Sequence, residues 1–214
     1  MIYLSEGLNL TPARPITLDS FIELAQELLV PICNRLGARI VVAWFSNIEW
    51  FSQVTQVFEF NDMDALKEFR RKSSQDKEWG EYMARLESFA PERRSQLLEP
   101  LGPVAPEVLH KAIEESQKKP LKVYSIAQLE VAPNKMDDFK TNLKQALNLF
   151  PIIASWRPLA GRPNEVIDVW KGDIGPRKYA PALDSMKEFF RTVRETAPKE
   201  RLIRIFPLPY SQLR

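Results

Sequence analysis

Two polar residues interrupt otherwise apolar segments of the chain: Gln56 in VTQVFEF (54–60) and Asp168 in VIDVWKG (166–172). A carboxyl group among apolar side chains loses hydration, which raises its pKa. It can then act as a general acid or base near neutral pH. Gln56, or Arg204 between Ile203 and Ile205, is a donor able to orient a carbonyl or enolate oxygen beside it. Asp168, Gln56 and Arg204 are therefore the catalytic candidates. The same arginine, or Arg157, is equally an ion-pair partner that would make Asp168 structural. Trp44, Trp156, Trp170, Phe58, Tyr3 and Tyr124 are candidates for lining a pocket around a flat, hydrophobic or aromatic ligand. Packing in an ordinary core is the other reading of each ring.

Other chemistries are excluded by composition. The 214 residues contain one His (His110) and one Cys (Cys33), too few for a structural zinc site or a disulfide. Any Ser-His-Asp triad must use His110, which falls in a charged connector and is expected on the surface. Cys33 is expected to be buried and inert. Seven glycines form neither GxGxxG nor GxxxxGK[ST], so no phosphate cradle is expected. The expectation is no cofactor and no metal. Thirty Lys+Arg against 28 Asp+Glu leave a net charge of +2, which argues against nucleic acid and anionic membranes as partners. The N-terminus lacks a basic n-region and no apolar run nears the ~20 residues of a membrane span. A cytoplasmic location is the expectation.

The elements that must position these residues occur twice. VVAWF (41–45) matches IASWR (153–157), and VTQVFEF (54–60) matches VIDVWKG (166–172), both 112 residues apart. MIYLSEGLNL (1–10) resembles KVYSIAQLEV (122–131), with Tyr3 on Tyr124, and EPLGP (99–103) resembles FPLPY (206–210). Each half reads β-α-β-β-α-β. In the first, strands over 1–10, 38–48, 51–60 and 95–101 alternate with amphipathic helices. Thr17 starts one helix, which Pro31 is expected to kink or end, and Asp62 caps the next. The hairpin turn falls at Asn47–Trp50. In the second, strands run over 121–131, 152–159, 164–171 and 201–206, with AGRP (160–163) as a turn. Helices start at Asn134 and at Tyr179. The domains are thus 1–101, a proline-rich and helical connector at 102–120, and 121–214.

A βαββαβ unit is the ferredoxin-like, split βαβ arrangement, whose helices cover one sheet face only. Two units can bury their bare faces on each other. The fold class is α+β, two ferredoxin-like repeats forming a pseudo-dimeric α/β barrel. Strand alternation puts Val166, Asp168 and Trp170 on one face and Ile167 and Val169 on the other. Gln56 and Phe58 share the face of Val54. The aliphatic face suits a helix layer, so the mixed face is expected inside the barrel.

Residues 29–101 resemble a NIPSNAP domain. The resemblance lies in a glycine turn (Gly37) into Val41-x-x-Trp44, a second strand ending in Phe60, the Trp79-x-x-Tyr82 helix and the closing LLEPL (97–101). NEVIDVW (164–170) and FPLPYSQL (206–213) carry it into the second half. The resemblance implies the dimeric α/β-barrel superfamily, with its cofactor-free monooxygenases, small stress-response barrels and haem enzymes. NIPSNAP sequences often have His in the third strand, where this chain has Gln56 and Asp168. A haem-ligating His is therefore missing from both halves. The first reading is a small-molecule-binding barrel that works as a cofactor-independent monooxygenase, isomerase or cyclase of secondary metabolism on an aromatic or polyketide-like metabolite. The alternative is a non-catalytic NIPSNAP-type binding protein with a filled barrel. The tandem copy makes a monomer or a homodimer possible.

Overall fold

The computed structural model describes residues 1–12, 16–47, 52–162, 164–173 and 184–214. The expected turn at Asn47–Trp50, Pro163 of the second turn and the helix start at Tyr179 lie, wholly or in part, outside them. The chain is α+β, with two βαββαβ-like halves. The first half contains β1 (Ile2–Asn9), α1 (Ile16–Leu24), α2 (Val30–Leu36), β2 (Arg39–Ser46), β3 (Gln53–Phe60), α3 (Met63–Ser73), α4 (Lys77–Phe89) and β4 (Glu92–Pro100). After α5 (Pro106–Lys118) come β5 (Tyr124–Glu130), α6 (Met136–Ala146), β6 (Ile152–Pro158), β7 (Glu165–Trp170), α7 (Asp184–Thr196) and β8 (Lys199–Pro207). The strands close an antiparallel barrel in the order β1-β3-β2-β8-β5-β7-β6-β4.

The compact units cut the chain differently from the sequence repeats. The first unit comprises Met1–Leu97, Ile113–Pro120 and Phe206–Arg214; the second comprises Leu98–Ala112 and Leu121–Ile205. The reason lies in strand pairing. Phe206 and Pro207 pair with Phe45 and Trp44, while Leu98–Pro100 pair with Trp156–Pro158. The helix of the expected connector, α5, contributes residues to both units.

In the first unit, β1 alternates so that Ile2, Leu4, Leu8 and Leu10 enter a core with Phe21, Leu24, Leu29 and Ile32 beneath the helices. Leu66, Phe69, Tyr82 and Leu86 complete it from α3 and α4. Asp62 caps α3 by accepting the Ala65 N–H at 2.8 Å. Pro31 does not end its helix. Residues Ala25–Leu29 form one π-helical turn between α1 and α2, and the Val30 N–H reaches Ala25 O. The wider turn sits where a proline in the next turn cannot donate, so the chain continues instead of breaking. Gly37, at φ 87°, terminates α2 with its N–H on Cys33 O, a left-handed position that favours glycine.

In the second unit, Phe139, Leu143 and Ala146 of α6 pack with Leu129, Ile152 and Val166, and Phe189 of α7 packs against the same core. The Phe150 ring packs at a tilt against Trp170 at 4.9 Å and against Phe189 at 5.8 Å. Among the described residues no helix is long and apolar enough to cross a membrane.

Candidate functional site

The sheet faces are the reverse of the sequence expectation. Phe58 and Phe60 belong to the helix-side core of the first unit, and Phe60 meets Phe69 of α3 at 5.5 Å. Val166 and Trp170 pack beneath α6 and α7 in the second. The mixed faces, with Gln56 and Asp168, thus lie under the helices. The aliphatic residues Val57 and Val169 are buried as well. Both faces of these strands are out of water, so aliphatic content does not distinguish the helix side.

This reversal divides the nine candidates. Directly paired residues share a sheet face. Gln56 pairs with Ala43, so Trp44 projects from the opposite face, as does Tyr3 between Ile2 and Leu4. Asp168 pairs with Ser155, so Trp156 projects away from it, and Tyr124 does too. Gln56 and Phe58 remain together in the first unit, and Asp168 and Trp170 in the second. Arg204 joins neither: it is exposed, and its Nε donates to Asp173 Oδ1 at 3.0 Å. Arg157 is bound to Glu99. Neither expected arginine is paired with Asp168.

The second-unit site consists of β6 and β7 residues beneath α6 and α7. Asp168 is 3 % exposed, and its Oδ1 has no hydrogen-bond partner among the described residues. Ser155 Oγ, across the strand pair, and Trp170 Nε1, two residues along the same face, are also buried without one. Burial pushes the Asp168 carboxyl up to about 7. Ser155 is near enough to oppose this rise, though its hydroxyl completes no hydrogen bond of good geometry, and the charge of Glu200 adds to it. Buried polar atoms in native proteins nearly always have partners, often water or ligand. Three buried polar atoms on one patch, from a carboxyl, a hydroxyl and an indole N–H, thus lack a hydrogen-bond partner among the described residues.

The first-unit site was largely missed from sequence. The Tyr210 hydroxyl donates to Gln56 Oε1 at 2.8 Å in a fully buried contact. Gln56 Nε2 and the Tyr82 hydroxyl have no partner among the described residues. Glu6 pairs directly with Gln56 across β1 and β3, and Cys33 lies close enough to feel its charge. Burial raises the Glu6 carboxyl, while the Arg93 and Arg70 charges pull it down. Burial, reinforced by Glu6, pushes the Cys33 thiol up to about 12, consistent with the inert cysteine expected. The readable signal was Glu6 itself, an acid at an inward position in the Ile2, Leu4, Leu8 alternation. Tyr82 and Tyr210 carried none, since a buried tyrosine looks like core.

The same unit has a cleft of about 590 Å³ between α2, the end of α5 and the C-terminal residues; Tyr210 forms part of its wall. Among the described residues no group of His, Cys, Asp and Glu could hold a metal. A haem does not fit the strand faces either: neither half has a histidine there, and His110, half-buried rather than exposed, belongs to α5.

Comparison with known proteins agrees with this fold. The NIPSNAP family model matches residues 12–103. A putative monooxygenase from Lactobacillus acidophilus NCFM superposes with a TM-score of 0.64 at 10% identity, covering 99% of this chain and 96% of that one. A protein of the same description from Fusobacterium nucleatum gives 0.58 at 10% identity, covering 97% and 92%. A mutant chlorite dismutase from Candidatus Nitrospira defluvii gives 0.50 at 9% identity, with the same coverage. At such identities the likeness is one of fold. No curated protein matches the sequence significantly.

Proposed function

We propose, for a chain whose residues 12–103 are a NIPSNAP domain within a dimeric α/β-barrel fold, that it binds a small aromatic or polyketide-like metabolite and performs acid–base chemistry on it. The reaction class is proton abstraction next to a carbonyl, the first step shared by cofactor-independent oxygenation, isomerisation and cyclisation. The single observation that supports this reading is the orphaned triad of Asp168, Ser155 and Trp170.

Asp168 is the acid–base group. A pKa near 7 lets it exchange a proton with a carbon acid at neutral pH, because both of its forms are populated. Ser155 and the Trp170 indole are the donors for the enolate oxygen that forms as the proton leaves. Their lack of protein partners means that no existing hydrogen bond must break to receive it. Phe150 and Phe189 beside Trp170 supply the apolar wall for a flat ring. The name carried by the two similar folds is compatible with this chemistry, and the proposal does not depend on it.

The test needs no known substrate. The protein is incubated in D₂O with a panel of aromatic β-diketones and phenolic ketones, and deuterium uptake next to the carbonyl is followed by NMR. Enhanced exchange by the wild type, reduced about 10²- to 10⁴-fold in Asp168→Asn, is expected. Exchange that is equally fast in the variant would remove Asp168 from the reaction. No enhancement with any compound would favour a non-catalytic binding protein.

A further inference from the structure

The cleft of about 590 Å³ lies within the first unit and takes no part in the acid–base reading. Its volume is that of a small-molecule site. Gln26, Val30 and Asn34 form one wall; they recur every four residues, the spacing of neighbours along one side of a helix. Gln26 belongs to the π-helical turn Ala25–Leu29. Such turns are rare and frequently mark functional sites. Ile113 and Gln117 of α5, again four apart, form a second wall. Residues 209–212 and Arg214 form the third.

The third wall is pinned along its length. The Leu208 and Leu213 N–H groups donate to Ala43 O at 2.9 Å and Val41 O at 3.1 Å. Ser211 Oγ accepts from the Ala43 N–H at 2.9 Å, and Ser116 Oγ accepts from the Arg214 N–H at 3.0 Å. A wall that is ordered before a ligand arrives lowers the entropic cost of binding. Burial divides the lining into a floor and a rim. Ile40, Ile113 and Tyr210 are buried, whereas Gln26, Asn34 and Gln117 are exposed. Among the described residues no acidic side chain lines the cleft, and its one cation, Arg214, has its Nε on Ser211 O at 3.3 Å. The Ser211 hydroxyl is spent on Ala43 and on Leu213 O. The remaining polar groups are carboxamides, and two of these have a set orientation. An arginine can only donate, and Arg39 Nε donates to Gln212 Oε1 at 2.8 Å, which leaves Gln212 Nε2 as a donor. Gln117 Nε2 donates to the Gln212 carbonyl, which leaves Gln117 Oε1 as an acceptor. One bonds the main chain of the other, so the spare donor and the spare acceptor belong to neighbouring residues. A ligand carboxamide offers both complements on one group, and an uncharged body suits an apolar floor.

We propose that this cleft is a second ligand site, confined to the first unit, that binds a small neutral carboxamide with an aromatic or branched apolar group. The ligand carbonyl accepts from Gln212 Nε2, its N–H donates to Gln117 Oε1, and its apolar body rests on Ile40, Ile113 and Tyr210. Gln117 and Gln212 are then binding residues and Arg39 a positioning residue, since its guanidinium fixes which end of the Gln212 amide is left to donate.

The probe is N-acetylphenylalaninamide, titrated into the full-length protein by calorimetry and by ligand-observed NMR. N-acetylphenylalanine, with a carboxylate in place of the terminal amide, is run beside it. Saturable binding of one amide per chain is expected, with the acid weaker by about tenfold or more, because it loses a donor and brings a charge without a counter-ion. Of the five tyrosines, labelled with ¹³C in the ring, the one whose signal is absent from Tyr210→Phe should shift on binding. Gln117→Leu, at an exposed position where folding is not at risk, should weaken binding about two- to tenfold, the value of one neutral hydrogen bond. Val30→Trp, which fills the cleft with an indole, should abolish it in protein that a thermal melt shows to be folded. Asp168→Asn should leave it unchanged, which separates this site from the acid–base reading. Absence of saturable binding by the folded wild type, an acid that binds as tightly as the amide, a Tyr210 signal that does not move, or unchanged affinity in Gln117→Leu would overturn the proposal.

Discussion

The two units place a carboxyl in the same row of their sheets but on different strands. In the first the row reads Glu6, Gln56, Ala43; in the second it reads Ala127, Asp168, Ser155. The two rows share their burial beneath the helices and differ in which strand carries the acid. That single difference changes its chemistry. Glu6, on β1, keeps partial access to water and has two arginine charges nearby. Asp168, on the strand between β5 and β6, is sealed, and the arginines expected beside it are bound to Glu99 and Asp173. The central amide of the first unit is anchored by Tyr210; the central carboxyl of the second keeps one oxygen, Oδ1, without a partner among the described residues. A position in the sheet decides burial, whereas the neighbouring strands and helices decide whether a buried acid is supported or left reactive.

The largest effect that would sharpen this contrast is expected at Asp168. A folded pKa of about 7 against an ordinary 3.8 means that the folded state holds a proton, between those values, that the unfolded state has lost. Stability contributed by the neutral acid is complete below pH 4 and falls as the pH rises to 7. The total is about 4 kcal/mol as an upper figure, from about 1.4 kcal/mol per unit. Asp168→Asn has no such proton. Urea melts should therefore show the variant more stable than the wild type at pH 8, with a flatter profile from pH 4 to 7. A wild-type profile already flat across that window would show that Asp168 is supported as well as Gln56 is. A variant that gains stability while losing deuterium exchange would carry the signature of a functional group kept at the expense of the fold.

A smaller contrast is built into the two tyrosines of the first unit. Tyr210→Phe leaves Gln56 Oε1 buried without a donor and should cost about 1–3 kcal/mol. Tyr82→Phe removes a hydroxyl that already lacks a partner, and thermal melts should show it neutral or slightly stabilising. Equal losses in the two variants would break the distinction between an anchored and an unanchored group. The smallest effect is expected at Arg204. Its ion pair with Asp173 is exposed, so Arg204→Ala should change stability by less than about 1 kcal/mol. It should also leave deuterium exchange untouched, whereas a large loss would restore it to the site.

Much of the architecture was legible in local patterns. The repeated Trp44/Trp156 and Gln56/Asp168 offsets disclosed the duplication, and period-two strands beside amphipathic helices disclosed the βαββαβ order. Asp62 announced the start of α3. Pro31 was expected to kink or end its helix; the helix does not end there but passes through a π turn just before it, which no propensity reveals. Asp168 was identifiable as an unusual acid, but its partners were not. Arg204 was read as one of them, yet its side chain is exposed and bonds Asp173 instead.

The sequence by itself determined which residues of one strand share a face, because the strand period is two. It also determined that an acid and an amide occupy equivalent positions in the two halves. Only the tertiary structure decided which face the helices cover. Burial of Val57 and Val169 on one side and of Gln56 and Asp168 on the other removes the contrast in polarity from which an inside and an outside are ordinarily read. It also decided that Tyr210, 154 residues from Gln56, supplies the hydrogen bond that orients the amide, since contacts between distant segments depend on how the strands close and leave no trace in local spacing.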